Sequence, residues 1–429
     1  MPSAIRSKGE FVGALRSAWV GLGCLGFAAC GAPGEDPNAR WRFGAPQVVQ
    51  QRADGALVSA WPVAAAGGRT FLVLTAARAD GATAVSVAER NGITWTAAFP
   101  WALPAGASSE SVLWTTSEPT PAVLTRADGA LGPVLYVRRF LGAAWTVPEP
   151  VTLQGSEPPS LAGMGVGSTG ALHVVYAIPG GSCASGSQLR HRVRTAAGWS
   201  ASRPVADTCG LDQVSVAVDP AAGDALLVTW TGPARGAVGD GATDVVASAS
   251  ASVTSDAGAT ATMFRPPFRV LTGDNRAAMA VALGGGRFLA AWSLTTTNPA
   301  APGAGPRRAA FNTYELAGDR WGTANTGWFQ SDGSPWLVGL PKGGGALALG
   351  ADGAQARAQL VMRAWSSPER PSVSRSVITS PLGAVSSLRA LLAADGTVQA
   401  SWIETLDGGT QRLLWSAALP VAPADAGAP

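Results

Sequence analysis

The stretch WSASRP at residues 199–204 is one of four copies of the pattern Trp-x-x-x-x-Pro that together decide the fold. Successive copies are 54, 50 and 54 residues apart, and the other three are WRFGAP from Trp41, WTAAFP from Trp95 and WTVPEP from Trp145. Further matches at Trp114, Trp336 and Trp415 fall outside this register. A regular period of roughly fifty residues is typical of a repeat architecture, in which each repeat is one supersecondary unit.

A hairpin precedes the tryptophan in these repeats. A run typical of a β-strand and a Gly-containing turn come before Trp95, Trp145 and Trp199, and the same arrangement precedes Trp321. Asn91-Gly92 is the strongest of these turns, because both residues tolerate the positive φ of a tight hairpin. The pattern therefore predicts that each tryptophan opens the outer strand of its unit.

The units resolve into four short strands each, most clearly in QVSVAVD, ALLVTWT, TDVVASASASV and TATMFRPPFRV between residues 213 and 270. A seventh unit lacks its fourth strand, and the chain begins with an unpaired strand at about 41–49. A ring closes if that strand completes the last blade, which leaves no long free sheet edge. We predict an all-β, seven-bladed β-propeller, with six or eight blades as alternatives.

Aromatic residues recur near the end of the second strand of several units. Because they recur at one blade position, we interpret them as packing between neighbouring sheets rather than as ligand contacts. They are Tyr176, Trp230, Trp292 and Trp402.

The first residues indicate export. A basic leader precedes AWVGLGCLGFAA, an apolar stretch too short to span a bilayer. The segment before Cys30 resembles a bacterial lipobox, which implies that Cys30 is lipidated, with cleavage of an ordinary secretory signal as the alternative. We predict a signal peptide at 1–29, a lipidated cysteine and tether at 30–40, the propeller at 41–418 and a disordered tail at 419–429. The expected location is the cell envelope, at the outer membrane, or outside the cell if only the secretory signal acts.

Charge excludes some partners. The net charge is +3 for the whole chain and falls to +1 once the leader is removed, so neither nucleic acid nor an anionic lipid surface is expected. Contact with a membrane is expected only through the lipid anchor. Cys183 and Cys209 remain in the body, and an exported protein favours a disulfide between them, with two buried thiols as the alternative.

The rhythm of residues 41–418 resembles bacterial exported proteins with sialidase-like propeller repeats. That resemblance implies a propeller fold and a possible relationship to glycan-cleaving enzymes. The sequence motifs that are diagnostic of sialidases are absent from this chain or lie at the wrong place in it. No intact Ser-x-Asp-x-Gly-x-x-Trp box occurs, and SDGSPW from Ser331 has the wrong spacing. Phe264-Arg265-Pro266-Pro267 is similar to the sialidase Phe/Tyr-Arg-Ile-Pro motif but lies in mid-ring, so no catalytic residue is assigned.

Other catalytic or metal chemistry has little support. His173 and His191, the two histidines, alternate within strands. The stretch from Asp240 to Asp244 lacks the alternating acidic pattern of a dedicated calcium loop. We therefore expect no cofactor, no metal site and no enzymatic activity.

Three long loops join second to third strands in consecutive blades, so they cluster on one face of the ring, the long-loop face. They are PGGSCASGS at 179–187, GPARGAVGDGATD at 232–244 and NPAAPGAGPRR at 298–308. Cys183 and Cys209 both fall on this face, which makes the disulfide geometrically reasonable. The candidate binding residues there are Arg235, Asp240, Asp244, Arg307 and Arg308.

These features predict a monomeric, non-catalytic scaffold that recognises a protein or a glycan on the long-loop face. The alternatives are a glycoside hydrolase or lyase of sialidase-like fold acting on polysaccharide, and a structural subunit of the envelope. A polar central pocket with convergent carboxylates or arginines would favour the enzyme. A broad apolar or aromatic patch on the long-loop face would favour the scaffold.

Overall fold

The computed structural model describes residues 41–420, with gaps at 53–55, 98–100, 154, 156, 181–185, 210, 234–242, 255–259, 274, 296–306, 331–334, 341–344, 353–358, 368–369 and 372–375. The leader, Cys30, the tether and the end of the tail beyond residue 420 lie outside these residues. The described residues contain no apolar helix of membrane-spanning length.

Seven antiparallel sheets follow one another along the chain as the blades of a β-propeller, as the sequence predicts. The first blade contains β3 (Leu57–Ala65), β4 (Arg69–Ala77), β5 (Thr83–Asn91) and β6 (Thr94–Ala97). The second contains β7 (Ala107–Thr116), β8 (Ala122–Gly129), β9 (Gly132–Arg139) and β10 (Glu149–Pro150). The third contains β11 (Ala162–Val166), β12 (Leu172–Pro179), β13 (Gly186–Thr195), β14 (Gly198–Trp199) and β15 (Arg203–Cys209).

The remaining blades repeat this order. The fourth contains β16 (Gln213–Asp219), β17 (Ala225–Pro233), β18 (Thr243–Thr254), β19 (Thr260–Phe264) and β20 (Phe268–Gly273). The fifth contains β21 (Asn275–Gly284), β22 (Arg287–Thr295), β23 (Arg307–Glu315), β24 (Arg320–Trp321) and β25 (Asn325–Gln330). The sixth contains β26 (Trp336–Gly339), β27 (Ala346–Asp352), β28 (Gln359–Ser367), β29 (Arg370–Pro371) and β30 (Ser376–Thr379). Short 3-10 turns occupy Ala66–Gly68 and Pro220–Ala222.

The seventh blade closes the ring with both ends of the chain. Its first three strands are β31 (Ala384–Leu392), β32 (Val398–Thr405) and β33 (Gln411–Pro420), and its outer position is filled by β1 (Trp41–Phe43) and β2 (Gln47–Arg52). Trp41 pairs with Pro420 and Gln47 with Trp415, so the N-terminal strand completes the last blade as predicted. This pairing satisfies backbone groups that would otherwise form an open edge.

The repeated Trp-x-x-x-x-Pro pattern marks a break in the outer strand. Trp199 ends β14, Pro204 lies near the start of β15, and both pieces pair with β13. Proline cannot donate a backbone hydrogen bond, so it is tolerated at an edge position where the ladder is interrupted. The tryptophans therefore open the outer strands, as the hairpin pattern predicts.

The core is made between the blades. Tyr176, Trp230, Trp292 and Trp402 each have at most 1% of their surface exposed, which confirms their interpretation as packing residues. A buried aromatic side chain of this size contributes strongly to stability because it removes a large apolar area from water.

Candidate functional site

The first strand of every blade lies around the central axis of the ring. These seven strands are β3, β7, β11, β16, β21, β26 and β31, and they contact their neighbours in succession. Because antiparallel strands alternate in direction, the starts of these inner strands share one end of the propeller with the loops that join second to third strands. The mouth of the channel therefore opens on the long-loop face.

A cavity of about 420 Å³ occupies this end of the channel, and we call it the channel cavity. Its wall comes from the inner strands of all seven blades. The side chains that carry its chemistry are Trp61, Trp114, Asp212, Trp336, Ser387 and Arg389.

Three tryptophans form one wall of the channel cavity. Their ring centroids are separated by 5.7 Å for Trp61 and Trp114, 5.5 Å for Trp61 and Trp336, and 5.7 Å for Trp114 and Trp336. Trp61 and Trp336 are buried, whereas Trp114 is half-buried. Trp336 donates its indole N–H to the carbonyl of Ala390 at 2.5 Å, which fixes its ring. The result is a rigid aromatic surface beside an open volume.

Arg389 lies against this aromatic wall. Its guanidinium carbon is 4.4 Å from the ring centroid of Trp61 and 4.7 Å from that of Trp336, within the range of cation–π attraction. Burial lowers the pKa of Arg389 to about 10, which leaves the side chain charged at neutral pH. The cavity therefore contains a fixed positive charge.

Two β-bulges shape other parts of the cavity wall. In β31 the pairing with β32 shifts between Ser386 and Arg389, and Ser387 adopts a φ of 50°. In β21 the pairing shifts between Arg276 and Met279, and Ala277 has a φ of 51°. Left-handed conformations are unfavourable for residues with a Cβ, and strain of this kind is concentrated at functional sites. Both strained residues line the cavity.

Asp212 is the acidic group of the channel cavity. It immediately precedes β16, is open to solvent, and accepts a hydrogen bond from the hydroxyl of Thr231. The surrounding protein raises the pKa of the Asp212 carboxyl by desolvation, while the backbone N–H of Ala277 and the charges of Arg276 and Arg307 act in the lowering direction. A carboxyl whose pKa is moved toward neutrality is suited to transferring protons.

The described residues of the predicted binding set, Asp244, Arg307 and Arg308, belong to the fourth and fifth blades. Arg307 and Arg308 begin β23, and the charge of Arg307 acts on Asp212, which connects this position to the channel cavity. Asp244 is 2% exposed, and its carboxylate pairs with Arg269 at 2.6 Å within the same blade. Arg235 and Asp240 lie outside the described residues, so their role stays a prediction.

The cysteine predictions also remain open. Cys209 ends β15 opposite Gly186, and Cys183 precedes Gly186 by three positions but lies outside the described residues. The disulfide between Cys183 and Cys209 therefore stays a prediction. The lipidation of Cys30 does so as well.

The two histidines occupy strand positions, as the alternation predicts. His173 Nδ1 and His191 Nε2 are 3.2 Å apart, and the rings stack in a buried position. Burial lowers the pKa of both imidazoles, to about 3 for His191, so the pair is neutral. No cluster of three metal-ligating side chains occurs within the described part of the chain.

Arg265, in the stretch similar to a sialidase motif, is engaged elsewhere. Its guanidinium lies 2.8 Å from Asp319 and 3.0 Å from the hydroxyl of Tyr314, both in the fifth blade. It does not line the channel cavity.

Sequence reasoning missed the aromatic wall. Trp114 and Trp336 begin two of the copies of Trp-x-x-x-x-Pro that do not follow the repeat spacing, so the repeat pattern does not single them out. The signal that could have identified these tryptophans is the strand of the blade in which each one lies. Trp61, Trp114 and Trp336 lie in first strands, which surround the channel, whereas the inter-blade residues Trp230, Trp292 and Trp402 lie in second strands.

No protein-family model matches the chain, and a search of curated proteins finds no match either. Among solved structures, a protein of unknown function from Dyadobacter fermentans is similar over 89% of this chain and 100% of its own, with a TM-score of 0.52 and 13% identity. An ulvan lyase, a polysaccharide lyase solved with a -[GlcA(1-4)Rha3S]- unit, is similar over 85% of this chain and 95% of its own, with a TM-score of 0.52 and 9% identity. The NanB sialidase of Streptococcus pneumoniae covers 87% of this chain and 70% of its own, with a TM-score of 0.43 and 10% identity.

The first two of these structures support the propeller fold, and at such identities they establish the fold alone. They also correct one expectation. The prediction that the chain is not an enzyme is wrong on this comparison, because the propellers that share its fold include enzymes that cleave polysaccharides. The lack of a recognisable motif does not exclude an enzyme, because a site assembled from strands of seven blades leaves no single motif in the sequence.

Proposed function

We propose that the protein is a polysaccharide-cleaving enzyme, a glycoside hydrolase or a lyase, whose reaction takes place in the channel cavity. The observation that carries this proposal is Asp212, a solvent-accessible carboxyl with a raised pKa at the mouth of an aromatic-lined cavity. The likeness of the fold to polysaccharide-active propellers supports the same choice. The predicted export and lipid anchor at Cys30 are part of the proposal, since they would place the enzyme where extracellular polysaccharide occurs.

The aromatic wall has the chemistry of a sugar-binding surface. Sugar rings have apolar C–H faces, and flat rigid indoles offer matching area at low entropic cost. Trp114 is half-buried and lies within 5.7 Å of Trp61 and Trp336 by ring centroid, so its exposed part adjoins an already ordered cluster. A chain of sugars lying across the channel mouth would contact this wall.

Asp212 supplies the proton transfer. In a hydrolase it would donate a proton to the leaving glycosidic oxygen, and in a lyase it would take the proton next to a carboxylate. Both roles need a carboxyl whose pKa lies closer to neutrality than the usual aspartate value. Its hydrogen bond from Thr231 and the adjacent N–H of Ala277 hold the carboxyl in one orientation.

The test is cleavage of a panel of neutral and acidic polysaccharides by the full chain. New reducing ends report either reaction, and the ultraviolet absorbance of an unsaturated product identifies a lyase. Replacing Asp212 by Asn should lower the rate by about 10²–10⁴-fold, the range typical for loss of a general acid or base.

Asp395→Asn is the matched control, because Asp395 is an exposed turn residue that caps the backbone N–H of Thr397 away from the cavity. It should cleave at the wild-type rate. Equal rates for Asp212→Asn and wild type would show that the reaction does not use the channel cavity. A complete lack of cleavage across the panel would count against an enzyme of this class.

A further inference from the structure

Several arginines of the propeller pair with a carboxylate, whereas burial is the single cause of the lowered pKa of Arg389 and of Arg363, and of these two Arg389 lines the channel cavity. Arg412 pairs with Glu404, Arg194 lies 2.6 Å from Glu149, and Arg269 lies 2.6 Å from Asp244. No described residue forms an ion pair with Arg389, and burial is the single cause of its lowered pKa. A buried cation without an anion is costly, so such a charge requires an explanation.

The donors of Arg389 are also incompletely used. Nη1 donates to the carbonyl of Leu388 at 2.8 Å, whereas Nε is buried and has no hydrogen-bond partner among the described residues. A guanidinium carries five N–H donors in one plane, so one bond leaves most of this capacity available. Ser387 Oγ, two residues away, is likewise buried without a partner in the described part of the chain.

The β-bulge brings these two groups to the cavity together. Ser387 is held at a φ of 50°, and the shift of register between Ser386 and Arg389 breaks the regular alternation of side chains. Besides the unpaired charge of Arg389, this strained segment therefore holds two buried polar atoms without hydrogen-bond partners. Buried polar groups in folded proteins normally have such partners, so the two atoms also point to a ligand.

Two tryptophans pack against the guanidinium of Arg389. Trp61 and Trp336 lie within 4.7 Å of its carbon, so the two indoles hold the group and shield it from water. The N–H edge is the part that can meet a ligand from the cavity. An edge of parallel N–H donors matches two oxygens of a carboxylate or a sulfate better than it matches a neutral hydroxyl.

We propose that Arg389 and Ser387 form a subsite for a singly charged oxyanion on the sugar, either a uronate carboxylate or a sulfate ester. This inference rests on the proposed function, because it names the substrate class of the same cavity. The substrate is then an acidic polysaccharide. Arg389 binds its charged substituent while the aromatic wall binds the sugar ring.

The experiment measures binding of three oligosaccharides to the full chain by calorimetry. They are a uronate trisaccharide, its carboxyl-reduced counterpart and a neutral trisaccharide carrying one sulfate ester. The wild type should bind one of the two charged ligands at least about 10-fold more tightly than the reduced one, as expected for a charge-assisted hydrogen-bonded pair. The better charged ligand identifies the source of the oxyanion.

Arg389→Met should remove this preference, and Arg389→Lys should restore only part of it, because an ammonium lacks the planar fork. Arg42→Met, at an exposed position of β1, is the matched control and should leave the preference unchanged. If Arg389→Met does not fold, the affinities of the wild type for the charged and the reduced ligands still test whether the subsite exists. Equal affinity of the wild type for all three ligands overturns the subsite.

The outcomes separate this inference from the proposed function. Arg389-dependent binding of a charged oligosaccharide without cleavage of any polysaccharide supports the subsite and counts against catalysis. Asp212-dependent cleavage of neutral polysaccharides with no preference for charge supports the enzyme and overturns the subsite.

Discussion

Tryptophan serves two regions of this propeller in different ways. Trp230, Trp292 and Trp402 lie in the second strands of their blades and have at most 1% of their surface exposed, between neighbouring sheets. Trp61, Trp114 and Trp336 lie in first strands and meet around the channel cavity. The same residue type therefore supports packing between blades or forms a candidate sugar surface, and the strand on which it occurs decides which.

The difference follows from the geometry of a ring of sheets. A second strand has a neighbouring blade on both faces, so a large side chain there is enclosed on all sides. A first strand lies beside the axis, where one of its edges faces the channel and side chains do not completely fill the volume. The channel can consequently carry side chains whose chemistry is directed at a ligand.

The largest expected effect is on stability, from truncation of an inter-blade tryptophan. Trp292→Ala should lower the free energy of unfolding by about 3–5 kcal/mol, because it leaves a large cavity between two blades. Denaturant unfolding followed by circular dichroism measures this change.

Trp114→Ala is the channel counterpart and should cost clearly less stability, because Trp114 is already half-exposed to the cavity. Its principal effect should be weaker oligosaccharide binding. A loss of stability equal to that of Trp292→Ala would remove the distinction between the two regions.

The next effect concerns a polar pair within the third blade. His173 and His191 are buried and neutral, with lowered pKa values, whereas the unfolded chain titrates near the ordinary histidine value of 6.5. As pH falls below 6.5 the unfolded state binds protons that the folded state does not, so stability decreases toward the folded pKa of His191 at about 3. Stability above pH 6.5 is unaffected by the pair.

The expected slope is about 1.4 kcal/mol per pH unit for each histidine that stays neutral. Unfolding free energies at pH 7 and pH 5 measure it. A His173→Gln, His191→Gln double variant should lose most of the slope. An unchanged wild-type stability across this interval would contradict the buried neutral pair.

A smaller effect is expected at the strained bulge of the channel. Ser387→Gly should raise stability by about 1 kcal/mol, because glycine adopts a positive φ without the Cβ penalty. The same change should weaken binding of a charged oligosaccharide, since the hydroxyl is lost. Ser386→Gly, at the neighbouring exposed position, should give no gain in stability.

A gain of stability without loss of binding at Ser387 would assign the bulge to folding rather than to ligand recognition. A loss of stability would show that the left-handed conformation is not a source of strain. Thermal unfolding of the two variants, with calorimetric binding on the same samples, distinguishes these results.

Much of the architecture could be predicted because its signals are local. The predicted hairpin forms between β5 and β6, since turn chemistry acts over a few residues, but its turn residues are Gly92, at a φ of 61°, and Ile93, because Asn91 pairs with Thr94 at the end of β5. The missing outer strand of the last blade and the unpaired strand at Trp41 likewise complement each other. Strand-two aromatics such as Trp292 repeat at one position, and repetition identifies packing.

The candidate site could not be predicted in the same way. Trp61 and Arg389 are 328 residues apart in the chain, yet the ring closure makes their blades neighbours. The left-handed φ of Ser387 and of Ala277 occurs at residues that do not favour it, so no local propensity indicates the bulges. The end of the ring at which the channel cavity opens is the one on which the sequence places the long loops, because strand direction is set by topology.

The sequence by itself determined the repeat, the blade order and the strand that closes the ring, because strand periodicity and turn residues act between near neighbours. Only the tertiary structure decided which side chains share the channel. Asp212, Arg389 and the three tryptophans come from separate blades, and their meeting depends on how seven sheets pack around one axis.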